Sequence, residues 1–215
     1  IIKLTADFTI NMTETEGVIK YQLHHDFSRL PDTINFTEIN QYRSLVYKLE
    51  LIGQNPLRYQ GYGYGNISQR IENNQILISG TQTGTKPHLS IADYCLVSEV
   101  NLQKNYLHSL GLCKPSSEAL THASVYMQHP AIHCVIHAHS PIIWRASNAL
   151  NIPHTAQDIP YGTPDMAEAV ANLVAEKSSG LFTMLGHEDG VIAYGEDFST
   201  TLLLLTNTLN AAKQI

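Results

Sequence analysis

The chain has 215 residues, of which 43% are hydrophobic, and a formal net charge of −6 at pH 7. A chain of this size can bury one full core. We therefore expect a single domain over residues 1–215, with an N-terminal strand extension over 1–35 and a core over 37–212. The negative charge comes without basic patches, which argues against nucleic acid and against an anionic membrane as partners.

The cysteines and the apolar segments indicate a cellular compartment. Cys95, Cys113 and Cys134 are odd in number and far apart, so a disulfide framework is not expected. No stretch resembles a signal peptide, and the longest apolar run, Leu202 to Leu205, is too short to span a bilayer. These features predict a reduced, cytoplasmic protein.

Elements in the first half of the chain follow from hydrophobic periodicity. Gly17 to Phe27 alternates apolar and polar residues, which predicts an outer strand. Thr37 is expected to cap a helix that Gly53 ends. Two short strands, over 66–71 and 75–79, then flank a turn at 72–74.

In the second half, helices and strands alternate. Ser117 is expected to cap a helix that runs through Met127, and an apolar strand through His137 follows it. Thr163-Pro164-Asp165 is typical of a helix start, strands are expected over 181–185 and 191–194, and a last helix over 199–212. This alternation predicts an α/β layered fold around a mostly buried sheet.

The segment Cys134-Val135-Ile136-His137-Ala138-His139-Ser140-Pro141 carries the clearest chemical signal. Alternate residues of a strand point to the same face, so His137 and His139 project side by side just before the proline that ends the strand. Two neutral imidazoles in this arrangement are suited to a divalent transition metal. A His-x-His pair can also be a hydrogen-bonded or partly exposed pair, so the motif needs its context.

Four short motifs, in this order, resemble the class II aldolase/adducin family. Gly65-Asn66-Ile67-Ser68 is similar to the family's phosphate loop. The segment from Ile78 to Gly84 is similar to the Thr-Gly turn that follows this loop. Pro115-Ser116-Ser117-Glu118 is similar to its Ser-Ser-Glu, and His137-Ala138-His139-Ser140-Pro141 to its metal strand. The resemblance spans roughly residues 37 to 205, and the combination is far more specific than any single motif.

The resemblance implies a fold and a set of site residues. The fold would be a single-domain, three-layer α/β/α structure with a central mixed, largely antiparallel sheet. Glu118 would be the catalytic acid/base, although an acidic residue at a helix start also favours the helix dipole by itself. Backbone amides and side chains of six residues would bind the substrate phosphate: Gly65, Asn66, Thr83, Gly84, Ser116 and Ser117.

A third metal ligand is expected from a His-Gly turn in the C-terminal third, and this motif is altered here. The chain reads Gly186-His187-Glu188-Asp189-Gly190, so two residues separate the histidine from the following glycine. We predict His187 as the ligand beside His137 and His139, with Asp189 as the rival, since carboxylates also bind zinc. Both could instead lie in a solvated turn.

The resemblance implies a zinc-dependent aldolase that cleaves a phosphorylated ketose into a dihydroxyacetone-phosphate-like fragment and an aldehyde. Mn²⁺, Co²⁺ or Fe²⁺ would also suit the ligands. The family also contains sugar-phosphate epimerases and dehydratases and the non-catalytic adducin head, so these remain alternatives. It further implies a homotetramer with sites at subunit boundaries and a small sugar phosphate as the partner.

Overall fold

A computed structural model of the chain describes residues 17–72 and 75–215. Its strands are β1 Gln22–Phe27, β2 Gly53–Gln54, β3 Gly63–Tyr64, β4 Asn66–Arg70, β5 Ile76–Ser79, β6 Tyr94–Asn101, β7 Tyr106–Gly111, β8 Cys134–His139, β9 His154–Thr155, β10 Gly180–Met184 and β11 Gly190–Gly195. Its helices are α1 Thr37–Lys48, α2 Ala119–Gln128, α3 Pro141–Arg145, α4 Pro164–Val174 and α5 Phe198–Ala212. The predicted extension over 1–35 and the predicted turn at 72–74 fall partly outside the described residues.

One large sheet organises the fold. Nine strands of the described ranges form it in the order β1-β7-β6-β5-β4-β8-β11-β10-β9, and β2 pairs with β3 separately. The pairs are antiparallel except at the two edges, where β1 runs parallel to β7 and β9 parallel to β10. The sheet is therefore mixed and largely antiparallel, as predicted.

Helices cover both faces of this sheet. Helices α1, α3 and α5 pack on one face around Ile39, Ile143 and Leu205. Helices α2 and α4 pack on the other face around Val125 and Val170. The predicted single-domain, three-layer α/β/α fold is thus confirmed. In the described parts of the chain, no helix combines the length and the apolar character needed to cross a membrane.

Strand β8 lies inside the sheet, between β4 and β11, and all six of its residues are buried. Ile136 and Ala138 belong to the core under α1, α3 and α5, whereas Val135 belongs to the core under α2 and α4. His137 and His139 share the parity of Val135, so both imidazoles lie on the α2 and α4 side of the sheet. The pairing of neighbouring strands fixes their position.

A short polar side chain caps the starts of α3, α4 and α5, whereas α1 and α2 begin without such a cap. At α4 the Thr163 hydroxyl accepts a hydrogen bond from the Met166 amide over 3.2 Å, and Pro164 occupies the first turn, as predicted. The prediction that Thr37 and Ser117 are caps was wrong. Thr37 is already the first residue of α1, and its amide donates to the Asn35 side chain. Glu118 takes the cap position of α2, one residue after Ser117.

Arg43 is a buried cation that periodicity did not predict. Its side chain on α1 is fully buried, and its guanidinium donates to the backbone carbonyls of Lys86 and Thr83, the second over 3.0 Å. The loop over 83–86 has little regular structure of its own. Arg43 therefore anchors this loop to the helix beneath it.

Replacing Arg43 by methionine keeps most of the side-chain volume and removes both hydrogen bonds. The two carbonyls would lose their charged donor in a partly buried setting, so we expect the free energy of unfolding to fall by about 3 kcal/mol. Urea unfolding followed by circular dichroism measures the change. The matched control is Arg145→Met at the exposed end of α3, for which we expect a change within about 0.5 kcal/mol. Equal losses in the two variants would contradict an anchoring role.

Candidate active site

Three histidines converge on the α2 and α4 side of the sheet. His137 and His139 come from β8, and His187 comes from the turn between β10 and β11. Their ring centroids are 4.9, 5.3 and 5.0 Å apart for the pairs 137–139, 137–187 and 139–187. One ligand atom from each lies within 4.8 Å of the others. We call these three residues the His centre.

The His centre is buried, and this sets its protonation. His137, His139 and His187 are 0%, 1% and 2% exposed. Desolvation, and then the neighbouring imidazoles, hold the pKa of His137 well below its usual value, and desolvation does the same for His139. Both rings are therefore neutral near pH 7, which is the form that binds a metal ion.

Asp189 lies beside the His centre but is engaged elsewhere. The Tyr59 hydroxyl donates to its Oδ2 over 2.6 Å, and Arg58 Nη2 donates to the same oxygen over 3.4 Å. The Tyr59 ring in turn packs edge-on against His139, with centroids 4.7 Å apart. The structure thus brings His187, and not the Asp189 carboxylate, together with the two strand histidines.

The six predicted phosphate-binding residues line one concave site. Gly65, Asn66, Thr83, Gly84, Ser116 and Ser117 all contribute to it. We call this site the cradle. Gly65 has a φ of +70°, and a Cβ there would lie 2.9 Å from the backbone oxygens of Leu51 and His137. Gly84 approaches Gly53 so closely that a Cβ would lie 2.1 Å from its carbonyl oxygen.

Asn66 joins the cradle to the His centre. It is the Cα partner of His137 in the β4–β8 pair, and its Nδ2 donates to His137 Nδ1 over 3.2 Å. With the amide rotated by 180°, Asn66 Oδ1 would instead face His137 Nδ1. In that arrangement the His137 Nδ1–H donates, and the lone pair of Nε2 is available to a ligand.

Glu118 is buried at the start of α2, and its Oε2 accepts a hydrogen bond from the Thr121 hydroxyl over 2.7 Å. His122, one turn later, bonds through Nδ1 to Ser68 Oγ at 2.6 Å. Burial lowers the pKa of His122 to about 3, so this imidazole is neutral and orients Ser68. His122 therefore forms a hydrogen bond with Ser68 and is not one of the three histidines that could hold a metal ion.

Comparison with known proteins establishes the family. Residues 57–215 match the family model described as "Class II Aldolase and Adducin N-terminal domain". The chain belongs to the class II aldolase and adducin family. A 3-oxo-tetronate 4-phosphate decarboxylase from Haemophilus influenzae is 30% identical over 155 residues, which cover 63% of this chain and 68% of that protein.

Solved structures of this family share the fold. The chain superposes on YgbL from Klebsiella pneumoniae with a TM-score of 0.62 and 20% identity, over 83% of this chain and 86% of that chain. It superposes on L-fuculose-1-phosphate aldolase from Thermus thermophilus with a TM-score of 0.60 and 20% identity, over 83% of this chain and 90% of that chain. At these identities the likeness establishes the class II aldolase fold.

Class II aldolases depend on a divalent metal ion, and the His centre fits one. It offers three buried imidazoles, two of which are held neutral by their surroundings. His137 Nε2 is buried, and within the described residues no hydrogen-bond partner reaches it. A buried ring nitrogen without a partner is costly unless a ligand occupies it. Three histidines also match the ligand set of catalytic zinc sites.

Sequence reasoning missed Arg58 and Tyr59. They lie in the loop between β2 and β3, where Tyr59 and Gln60 have φ values of 49° and 56°. The guanidinium of Arg58 stacks over the rings of Tyr59 and Tyr64, 4.8 and 5.2 Å from their centroids. An irregular loop has no periodicity, so no signal in the sequence could have placed these residues beside Asp189 and His139.

The third metal ligand can be identified by metal content. We expect near-stoichiometric zinc in the wild type, loss of most of it in His187→Ala, and retention in Asp189→Asn, because Tyr59 and Arg58 already occupy that carboxylate. Elemental analysis of untagged protein purified without chelators makes the measurement.

Glu188→Gln is the matched control for this pair, because it changes an exposed carboxylate in the same turn. Its zinc content should equal that of the wild type. Zinc lost in Asp189→Asn and kept in His187→Ala would instead make Asp189 the third ligand.

Proposed function

We propose that this chain is a metal-dependent aldolase that cleaves a phosphorylated ketose into a dihydroxyacetone-phosphate-like fragment and an aldehyde. The observation that carries this proposal is the contact between Asn66, which lines the cradle, and His137 of the His centre, because it makes the two groups of residues neighbours. A phosphorylated carbonyl compound could then place its phosphate in the cradle and its oxygens at the His centre. Family membership supports the same reaction class.

In this proposal His137, His139 and His187 hold the cofactor, a divalent metal ion. We favour Zn²⁺, since three neutral imidazoles are its common catalytic ligands, and Mn²⁺, Co²⁺ or Fe²⁺ would suit the same donors. When bound, the ion would supply Lewis-acid stabilisation of the negative charge that develops on the substrate carbonyl oxygen. The burial of the three rings excludes water and strengthens this electrostatic interaction.

Glu118 is the proposed acid/base. In retro-aldol cleavage, the carboxylate takes the proton of the substrate hydroxyl, the carbon–carbon bond breaks, and its electron pair moves toward the carbonyl oxygen. The aldehyde leaves, and the protonated Glu118 returns the proton to the carbon of the remaining fragment. The hydrogen bond from Thr121 fixes one carboxyl oxygen and thereby orients the group.

The cradle residues are proposed to bind phosphate through backbone amides and hydroxyls. Ser116 and Ser117 are 4% exposed each and immediately precede the α2 start, where amide groups and the helix dipole favour an anion. Thr83 and Gly84 approach from the loop that Arg43 anchors. Neutral donors of this kind suit a chain whose net charge is negative.

Decarboxylation of a phosphorylated 3-oxo acid is the second candidate. The Haemophilus influenzae relative carries such an activity in its name. When a 3-oxo acid loses CO₂, the electron pair of the broken carbon–carbon bond stays beside a carbonyl group. Aldol cleavage leaves an electron pair in the same position. In this chain Arg58 would provide a cation for the substrate carboxylate, since its guanidinium stacks over Tyr59, whose ring packs against His139.

We also propose a cellular location, an oligomeric state and a substrate class for the enzyme. We propose a cytoplasmic location, in keeping with the odd number of cysteines. We propose a homotetramer with sites at subunit boundaries, in keeping with the family resemblance. Its substrate partner would be a small sugar phosphate, with no role for nucleic acid or membrane. Light scattering measures the oligomeric state, and a monomer would contradict shared sites.

Glu118→Gln tests the reaction. The substitution keeps the shape of the side chain and removes its ability to exchange a proton, so we expect kcat to fall by about 10²- to 10⁴-fold with zinc content unchanged. Product release from a panel of phosphorylated ketoses and a phosphorylated 3-oxo acid gives the rate. Aldehyde as the product supports the aldolase, and CO₂ supports the decarboxylase.

The control is Glu168→Gln on the exposed side of α4, which should leave kcat unchanged. A zinc-loaded wild type that isomerises or dehydrates these substrates would replace the aldolase with an epimerase or a dehydratase. A wild type that binds neither zinc nor any substrate would favour the adducin-like binding module.

A further inference from the structure

A second group of metal-binding side chains lies at the β1 edge of the sheet. His24 and His108 are Cα partners in the parallel β1–β7 pair, and their ring centroids are 4.8 Å apart. Asp26 follows two residues after His24 and therefore points to the same face. One ligand atom from each of the three residues lies within 4.8 Å of the others. We call His24, Asp26 and His108 the edge cluster.

The edge cluster is remote from the His centre. Strand β1 lies five strands away from β8 in the sheet, a distance of about 24 Å at the usual spacing between strands. The faces also differ. Leu107 belongs to the core under α2 and α4, so its neighbour His108 points to the opposite face. No role in the proposed reaction falls to these residues.

Ser98 fixes the orientation of the His108 ring. A β-bulge between Val97 and Glu99 shifts the register of β6, and Ser98 lies within it. Ser98 Oγ lies 3.1 Å from His108 Nδ1 and donates to the His108 carbonyl oxygen over 3.4 Å. When Ser98 Oγ accepts the Nδ1–H, His108 keeps its Nε2 lone pair for a metal ion, as metal-binding histidines do with their outer partners.

The potential ligand atoms of the edge cluster face one another. His108 Nε2 faces Asp26 Oδ2 at 2.8 Å, and His24 Nε2 lies 3.6 Å from Asp26 Oδ1. In the Nε2–H tautomer of His108, the contact with Asp26 is an ordinary hydrogen bond to the carboxylate, whereas in the Nδ1–H tautomer a lone pair faces the carboxylate oxygen. In the second tautomer the two acceptors repel each other, and a metal ion bound between them would relieve the repulsion.

We propose that the edge cluster is a second binding site for a first-row divalent metal ion such as Zn²⁺. Two imidazoles and one carboxylate are suitable donors for this class of ion, and water would complete the coordination. The side chains of His24, Asp26 and His108 are 65%, 55% and 27% exposed, so the site is open to solvent. We therefore expect weaker binding here than at the buried His centre.

The site would fasten an edge of the sheet. Among the described strands, β1 pairs only with β7. Backbone hydrogen bonds to one neighbour therefore hold it in the sheet. A metal ion bound by His24 and His108 would link the two strands through their side chains. Binding to the folded state alone stabilises it, so added zinc should raise the melting temperature.

Zinc binding at equilibrium tests the site on the untagged full chain. We dialyse wild type, His24→Ala and His108→Ala against micromolar free Zn²⁺ and measure zinc per chain. The wild type should bind one more zinc than either variant, and each variant should lose affinity for that zinc by roughly 100-fold or more. Ser98→Ala, which removes only the ring partner, should weaken it by about tenfold.

His88→Ala is the matched control, since His88 is exposed and lies outside the edge cluster. Its zinc content should equal that of the wild type, and circular dichroism verifies that every variant is folded. Equal zinc in wild type and His108→Ala, or a difference only at millimolar zinc, would overturn the proposal. A zinc ion lost in His108→Ala but kept in His137→Ala supports the edge site even if the His centre proves empty of metal.

Discussion

The pairing of β8 with its two neighbours is the constraint on which the candidate active site depends. Antiparallel register with β4 sets Asn66 opposite His137, and antiparallel register with β11 sets Gly190 opposite His139. The first pairing joins the cradle to the His centre, and the second brings the His187 turn over it. A slip of one residue in either pair would turn both imidazoles to the α1 and α5 side. Strand register thus positions most of the candidate site, and loops supply its remaining residues.

Burial of three imidazoles side by side is expensive without a ligand. The rings are at most 2% exposed, so none can be charged cheaply, and each needs partners for its nitrogens. Aromatic rings cover the outer side, with Tyr59 against His139 and Tyr161 against His187 at 4.7 and 4.6 Å between centroids. This cover keeps water out and lowers the local dielectric. A neutral ligand set in a dry pocket binds a dication strongly, because the ion keeps its full charge there.

Local signals in the sequence were sufficient for much of this architecture and insufficient for its details. The parity of His137 and His139, the Thr163-Pro164 start of α4 and the alternation of elements each express a short-range rule. The choice between His187 and Asp189 depended on Tyr59, which lies 130 residues from Asp189 in sequence. The burial of Arg43 depends on contacts with the loop over 83–86, about 40 residues away in sequence, which helix periodicity does not encode. The edge cluster forms because β1 pairs in parallel with β7, and no local sequence pattern predicts which strands pair.

The His centre alone does not select among lyase reactions. Aldol cleavage and decarboxylation both leave an electron pair beside a carbonyl group, so three imidazoles and a dication would serve either. Selectivity must come from groups that meet the departing fragment, and Arg58 and Tyr59 are placed to do so beside His139. Arg58 already shares Asp189 with Tyr59, and its 3.4 Å contact is long for a charged hydrogen bond. A substrate carboxylate with better geometry could replace Asp189 on this guanidinium, whereas a neutral aldehyde fragment offers no such exchange. In the proposed function, the loop between β2 and β3 would therefore distinguish a substrate that loses CO₂ from one that loses an aldehyde.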